Sequence, residues 1–202
     1  MAASKLSQGR LMWSGEHWIN YIRPVDGELN TGMVSLYHSY YSPAGRGTVA
    51  YVDIPVDPAQ SEPAGFTAVC TDNREYARFI DAQMIRGNPY SKKNPWLREL
   101  PTRDARFTLN GDPRREPSWT IDVGDRRVVA AWSTLEESFV GPPTIHPQII
   151  FTILFFAEQA SIEVDGHRVP GEPYRNEAWS PSLETSQSSC VFALAETMIE
   201  AD

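Results

Sequence analysis

Residues 149–157, Ile-Ile-Phe-Thr-Ile-Leu-Phe-Phe-Ala, are apolar on both alternating faces. A strand of this kind cannot leave one face in water, so a helix, a second sheet or a partner chain must cover it. The run is about half the ~20 residues that a membrane-spanning helix requires. It is therefore expected to be an interior strand, and the rest of the chain must supply its cover.

The flanking sequence reads as a series of further strands. Alternating or β-branched runs at 17–23, 33–41, 48–56, 66–71, 105–109, 119–123, 127–132, 160–164 and 189–199 are separated by turn-forming stretches. This is the pattern of a meander, sandwich or barrel. Pro55 cannot donate to a ladder and closes its strand or sits at an edge. Gly124-Asp125 and Asp165-Gly166 mark two compact hairpins.

One segment breaks the β pattern. Asp72 and Glu75 form a D-x-x-E capping box, followed at helical spacing by Tyr76, Phe79, Ile80 and Met84. Gly87 offers a left-handed cap with Pro89 beyond it, so the spacing predicts a helix over 73–86. That helix is the obvious cover for strand 149–157, with a homodimer contact as the other. A further helical turn is expected at 94–100. The fold expected is mainly β, a single antiparallel barrel domain over 1–202 with one packed α-helix.

Composition excludes several function classes. The 202 residues carry 18 basic and 26 acidic side chains, a net charge of −8. Nucleic acid repels such a surface unless a basic stripe is segregated on one face. The pairs Lys92-Lys93, Arg114-Arg115 and Arg126-Arg127 read as solvated turns, so no nucleic-acid partner is expected. Only three of the basic residues are lysines, and with abundant Ala, Gly and Pro this suggests a GC-rich bacterial genome. No signal peptide or membrane segment is evident, which points to the cytoplasm. Cys70 and Cys190 have no C-x-x-C partner and are expected as buried, reduced thiols.

No motif fixes a reaction. His17, His38, His146 and His167 lack any H-x-H or H-E-x-x-H spacing, so no metal is expected. G-x-S-x-G is absent and neither cysteine has a basic neighbour, which argues against nucleophilic catalysis; no Gly-rich phosphate loop follows a strand, so no cofactor is expected. The informative feature is the strand Tyr37-His38-Ser39-Tyr40-Tyr41, where alternation sets His38 and Tyr40 on one face with Val34 and Leu36. An imidazole and a phenol in an apolar face can move protons near neutral pH, or orient the polar end of a greasy ligand. Equally, they can be satisfied core or rim residues. In the first strand His17, Ile19 and Tyr21 share one face, and Glu16, Trp18 and Asn20 the other. Glu158 shares a face with Ile150, Thr152, Leu154 and Phe156, where desolvation would favour a general acid, unless the strand end simply reaches water.

The C-terminal third resembles lipocalin-like barrels of the carotenoid 1,2-hydratase and AttH type. The resemblance lies in the hairpin at 160–171 (ASIEVDGHRVPG) and the closing strand at 188–197 (SSCVFALAET). It implies an apolar ligand and reactions such as hydration or cyclisation, but no catalytic residue by position. That group carries two barrels in tandem, whereas this chain has room for one. The leading expectation is a cofactor-independent lyase, hydratase, isomerase or cyclase acting on a small apolar metabolite. His38 would be the base or acid, Tyr40 a hydrogen-bond donor, and His17 or Glu158 a second proton carrier. Trp18, Tyr21, Leu36, Trp132 and Phe156 would line the pocket. The alternatives are a non-catalytic carrier of the same ligand and an interaction module whose apolar strand is an interface.

Overall fold

A computed structural model describes residues 9–55, 65–87, 95–140, 144–145, 149–177 and 184–201. His146, Pro89 and Asn94, the first residue of the helical turn expected at 94–100, lie outside them. The chain begins with β1 (Gly9–Ile22), β2 (Gly32–Tyr41), β3 (Thr48–Ile54) and β4 (Phe66–Thr71). Helix α1 (Arg74–Ile80) follows, extended by a wider π-type turn over Asp81–Arg86, and then a 3-10 turn at Pro95–Leu97. The strands resume with β5 (Thr102–Asp104), β6 (Arg106–Asn110), β7 (Ser118–Val123) and β8 (Arg126–Leu135). Short pieces β9 (Phe139–Val140), β10 (Thr144–Ile145) and β11 (Ile149–Phe151) lead into the long β12 (Ile153–Val164). The chain finishes with β13 (His167–Arg168), β14 (Arg175–Asn176), β15 (Gln187–Ser188) and β16 (Cys190–Ala201).

The main sheet runs in the order β5-β4-β3-β2-β1-β16-β12-β8-β7-β6. It is nearly closed into a barrel. Trp18 on β1 meets Trp119 on β7 at 6.2 Å between ring centroids, although three strands separate β1 from β7 along the ladder. Asn20 likewise reaches the carbonyls of Ala131 and Ser161 across the interior, at 3.0 and 3.1 Å. The two edges of the sheet, β5 and β6, are separated in sequence by Ala105 alone. The sheet is not wholly antiparallel, as the turn signals implied. The helix-containing crossover after β4 returns the chain parallel to it, pairing Val69 with Thr102 and Thr71 with Asp104, as a crossover connection must.

The interior is filled by side chains. Trp18, Trp119, Trp132 and Phe192 meet at its centre, with Trp18 stacked on Phe192 at 4.2 Å and tilted against Trp132 at 5.1 Å. Val34, Leu36, Ala50, Val52, Ile121, Val128 and Ile162 pack round them. A second apolar layer lies outside the barrel, where Tyr76, Ala77, Ile80 and Met84 of the helical segment cover Tyr37, Val49 and Tyr51 on β2 and β3. Trp13 of β1 joins this layer and donates from Nε1 to the Tyr76 hydroxyl at 2.9 Å.

Three local expectations are corrected. The cap of α1 is Asn73, whose Oδ1 accepts from the amides of Glu75 and Tyr76 at 3.0 and 3.1 Å. Asp72 instead accepts from the Thr48 amide at 2.7 Å, holding the β3 start to the helix entry. Gly87 is not left-handed (φ −75°). It is needed because a Cβ there would meet the Ala82 carbonyl oxygen at 2.6 Å. The run 149–157 is not one covered strand: it breaks at Thr152, Phe151 and Ile153 are 46% and 38% exposed, and only Phe156 and Ala157 are buried. The helix lies over β2 and β3 instead, with Ile150 reaching the edge of that layer.

Candidate functional site

β1 starts eight residues earlier than the alternation at 17–23 suggests, because two bulges interrupt its pattern. At the second bulge, pairing with β16 steps from Gly15–Glu196 to His17–Ala193, so Glu16 faces the two residues Leu194 and Ala195. A Cβ on Gly15 would lie 2.1 Å from the His38 carbonyl oxygen and 2.7 Å from the Trp13 ring. Only glycine allows this approach, and regular alternation along β1 sets Glu16 on the inner face with Trp18.

At this mouth of the barrel Glu16 is 7% exposed. Its Oε2 accepts from Trp18 Nε1 at 2.9 Å, and its Oε1 accepts from the Tyr40 hydroxyl. Tyr40 is 46% exposed, so the pair spans from interior to solvent. Burial, and then the bond to Glu16, push the Tyr40 phenol well above the ordinary tyrosine range, so it remains a donor. His38 sits edge-on to Tyr40 with ring centroids 5.8 Å apart. Its Nδ1 is 2.8 Å from Thr48 Oγ1, and its Nε2 has no hydrogen-bond partner among the described residues. The other side of the imidazole lies 5.6 Å from the Trp119 ring. Trp119 Nε1 is itself buried and without a partner among the described residues. A buried donor left unpaired is costly, on the order of 1–3 kcal/mol, which marks it as a place where a bound acceptor would be stabilised.

An apolar depression of about 460 Å³ lies along β12 and β16, and His38, Tyr40, Glu16 and Trp119 are not among its lining. Leu135, Ile153, Phe155, Leu194 and Ala195 line it, with Arg114, Glu136 and Glu137 at its rim. Leu194 and Ala195 are the residues facing Glu16 across the bulge.

His38 and Tyr40 therefore meet on the inner face with Val34 and Leu36, as alternation implies. The other expected site residues lie elsewhere. Trp18, Leu36 and Trp132 are fully buried in the barrel core. Phe156 is buried on the face opposite Phe155, edge-on to Phe139 at 5.6 Å. Tyr21 is on the outer face, its hydroxyl accepting from Trp96 Nε1 at 3.0 Å; burial pushes its phenol up to about 12. Glu158 is exposed. Core-facing positions on β12 shift there from odd numbers (Phe155, Ala157) to even ones (Ala160, Ile162, Val164), so simple alternation misplaces it.

His17 is also on the outer face, stacked on Tyr37 at 4.0 Å and 15°. Its Nε2 is 3.3 Å from Ser35 Oγ, and its Nδ1 is 3.8 Å from Oε1 of buried Glu196. Burial pushes His17 down to about 3 and Glu196 up to about 7, so both favour their neutral forms. Sequence reasoning missed Glu16 and Glu196. A signal existed for each: a carboxylate two residues before a core tryptophan, and one interrupting an apolar closing strand.

Among the described residues no three His, Cys, Asp or Glu side chains converge as a metal cluster would, and no helix is long and apolar enough to cross a membrane. Fold and site define a barrel-like β protein with a polar cluster at one mouth. No family model matches the chain, and no curated protein or solved structure matches it.

Proposed function

We propose that the chain is a cofactor-independent enzyme that moves a proton on a small, largely apolar metabolite at this mouth, as a lyase, hydratase, isomerase or cyclase. One juxtaposition carries the reading. His38 lies against Tyr40 and against Trp119, whose indole N–H is buried and without a partner among the described residues, and Glu16, bonded to Tyr40, faces Leu194 and Ala195 of the apolar depression. The filled interior moves the ligand from the barrel centre to this depression. His38 Nε2 takes a proton from the ligand and returns it at another atom, so the protein ends unchanged. Trp119 Nε1 hydrogen-bonds to the ligand oxygen on which charge develops, and Tyr40 joins it by turning its one hydroxyl hydrogen from Glu16 to that oxygen. Leu135, Phe155 and Leu194 take the apolar body. The resemblance to carotenoid-hydratase-like barrels supports the same ligand class. Two buried thiols, both pushed up to about 12 by burial and neither bridged, suit a reducing cytoplasm.

Solvent deuterium incorporation tests this without knowing the substrate. A panel of enolisable terpenoid and aryl ketones is incubated with the protein in D₂O and followed by mass spectrometry. At least one should exchange above the buffer rate, and His38→Ala should slow that exchange by ~10²–10⁴-fold. Exchange by none of the panel, or at an equal rate in the variant, would overturn the proposal. Saturable binding of a panel member without exchange would instead favour the carrier reading.

A further inference from the structure

A second depression, of about 370 Å³, lies outside the barrel beside α1. Its apolar wall is Val69, Ala77, Trp96 and Leu100, and four arginines reach it: Arg74, Arg78, Arg86 and Arg98. The acidic residues among its lining are Asp81 and Glu99. With Asp104 and Asp53, which pair with two of the arginines, charge around the groove is balanced in a chain of net charge −8.

Three of the arginines are already paired. Arg74 bonds Asp104 at 2.8 Å, Arg86 bonds Asp81 at 2.7 Å, and Arg98 bonds Asp53. Those pairs hold the guanidinium groups in place. Arg78 has no ion-pair partner among the described residues. Independently, Tyr51 also lines the depression, is 2% exposed, and its hydroxyl has no hydrogen-bond partner among the described residues. Its ring is 5.7 Å from that of Trp96, so a buried phenol lies beside an indole in the apolar wall. Burial pushes its phenol far above the ordinary range, so the group is a permanent donor.

We propose that this groove binds a small amphiphilic anion, an aromatic or acyl body bearing one carboxylate, sulfonate or phosphate. Arg78 meets the charge, the Tyr51 hydroxyl donates a further hydrogen bond, and Trp96, Val69 and Leu100 take the body. The site is distinct from the barrel mouth and does not depend on the chemistry proposed there.

The test uses the full chain with 1-anilinonaphthalene-8-sulfonate as probe and uncharged N-phenyl-1-naphthylamine as control. The sulfonate should bind at one saturable site per chain, followed by fluorescence. Arg78→Ala should weaken it about tenfold and Tyr51→Phe about threefold, the sizes expected for a charged and a neutral hydrogen bond. The control should bind more weakly and not respond to Arg78→Ala. Arg78 is exposed, so its variant should melt like the wild type. Unchanged affinity in both variants, or equal affinity for the uncharged control, would overturn the proposal. Binding at the barrel mouth would give the first of these results.

Discussion

Tyr40, half open to solvent, donates its hydroxyl hydrogen to the nearly buried carboxylate of Glu16. The same carboxylate accepts from the fully buried Trp18 indole, so one side chain ties the barrel mouth to the barrel centre.

Removing that carboxylate should cost more than removing the phenol. Glu16→Ala leaves Trp18 Nε1 without its acceptor and should lower stability by about 1–3 kcal/mol, whereas Tyr40→Phe should cost about 0.5–1.5 kcal/mol. Because the two groups share a bond, the double variant should lose less than the sum. Urea denaturation of the four proteins measures this. Wild-type stability in Glu16→Ala would mean the carboxylate does not hold Trp18.

Gly15 should be the least replaceable glycine of the barrel mouth. An added Cβ meets backbone, the His38 carbonyl oxygen at 2.1 Å, so the bulge must shift. Gly15→Ala should cost about 1–3 kcal/mol, as overpacking does, and should also displace His38 and Glu16. Gly124 has a positive φ of 62° but nothing within 4 Å of an added Cβ, so Gly124→Ala should pay only for its left-handed backbone, roughly 1 kcal/mol. Thermal melting ranks the two, and equal losses would contradict the packing argument.

The buried His17–Glu196 contact should give opposing pH dependences. Glu196 holds its proton more tightly folded (about 7) than its ordinary 4.5, so its contribution is complete below about 4.5 and is lost as pH rises through about 7. His17 holds its proton less tightly (about 3 against an ordinary 6.5), so its contribution is complete above about 6.5 and is lost as pH falls toward 3. Between 4.5 and 6.5 the two slopes oppose each other. Glu196→Gln removes only the first, so its stability relative to wild type should improve between pH 4.5 and pH 8, by up to about 3 kcal/mol. A difference that stays constant across this range in urea titrations would show that Glu196 is not held neutral.

Much of this fold could be read from local chemistry. The helix at 73–86 follows from its spacing, the hairpins at 124–125 and 165–166 from their turn residues, and the shared face of His38 and Tyr40 from alternation. What could not be read depends on departures from strict period. Glu158 leaves the core because β12 changes phase after Ala157, whereas Glu16 keeps the face that alternation shares with Trp18 and only its long-range partner Tyr40 is not legible locally. A one-residue slip sends every later side chain to the opposite face, so alternation counted across such a change of phase assigns the wrong residue to the site. The parallel pairing of β4 with β5 is a long-range contact that no local pattern encodes.

The strand pair on either side of Ala105 gives the barrel an unusual seam. Residues 102–104 pair with β4 and residues 106–110 pair with β7, while the Ala105 amide adds a 2.9 Å bond to the Thr71 carbonyl. The two strands most distant along the hydrogen-bonded path are thus fastened by one short piece of chain. Opening at that piece exposes both ladders together, so the barrel cannot unzip from one side alone. Amide hydrogen exchange should report this as shared behaviour: protection of Val69 and Thr71 should fall in step with that of Thr120 and Asp122 as denaturant rises. If the two groups exchange with independent denaturant dependence, the seam is two separate edges rather than one latch.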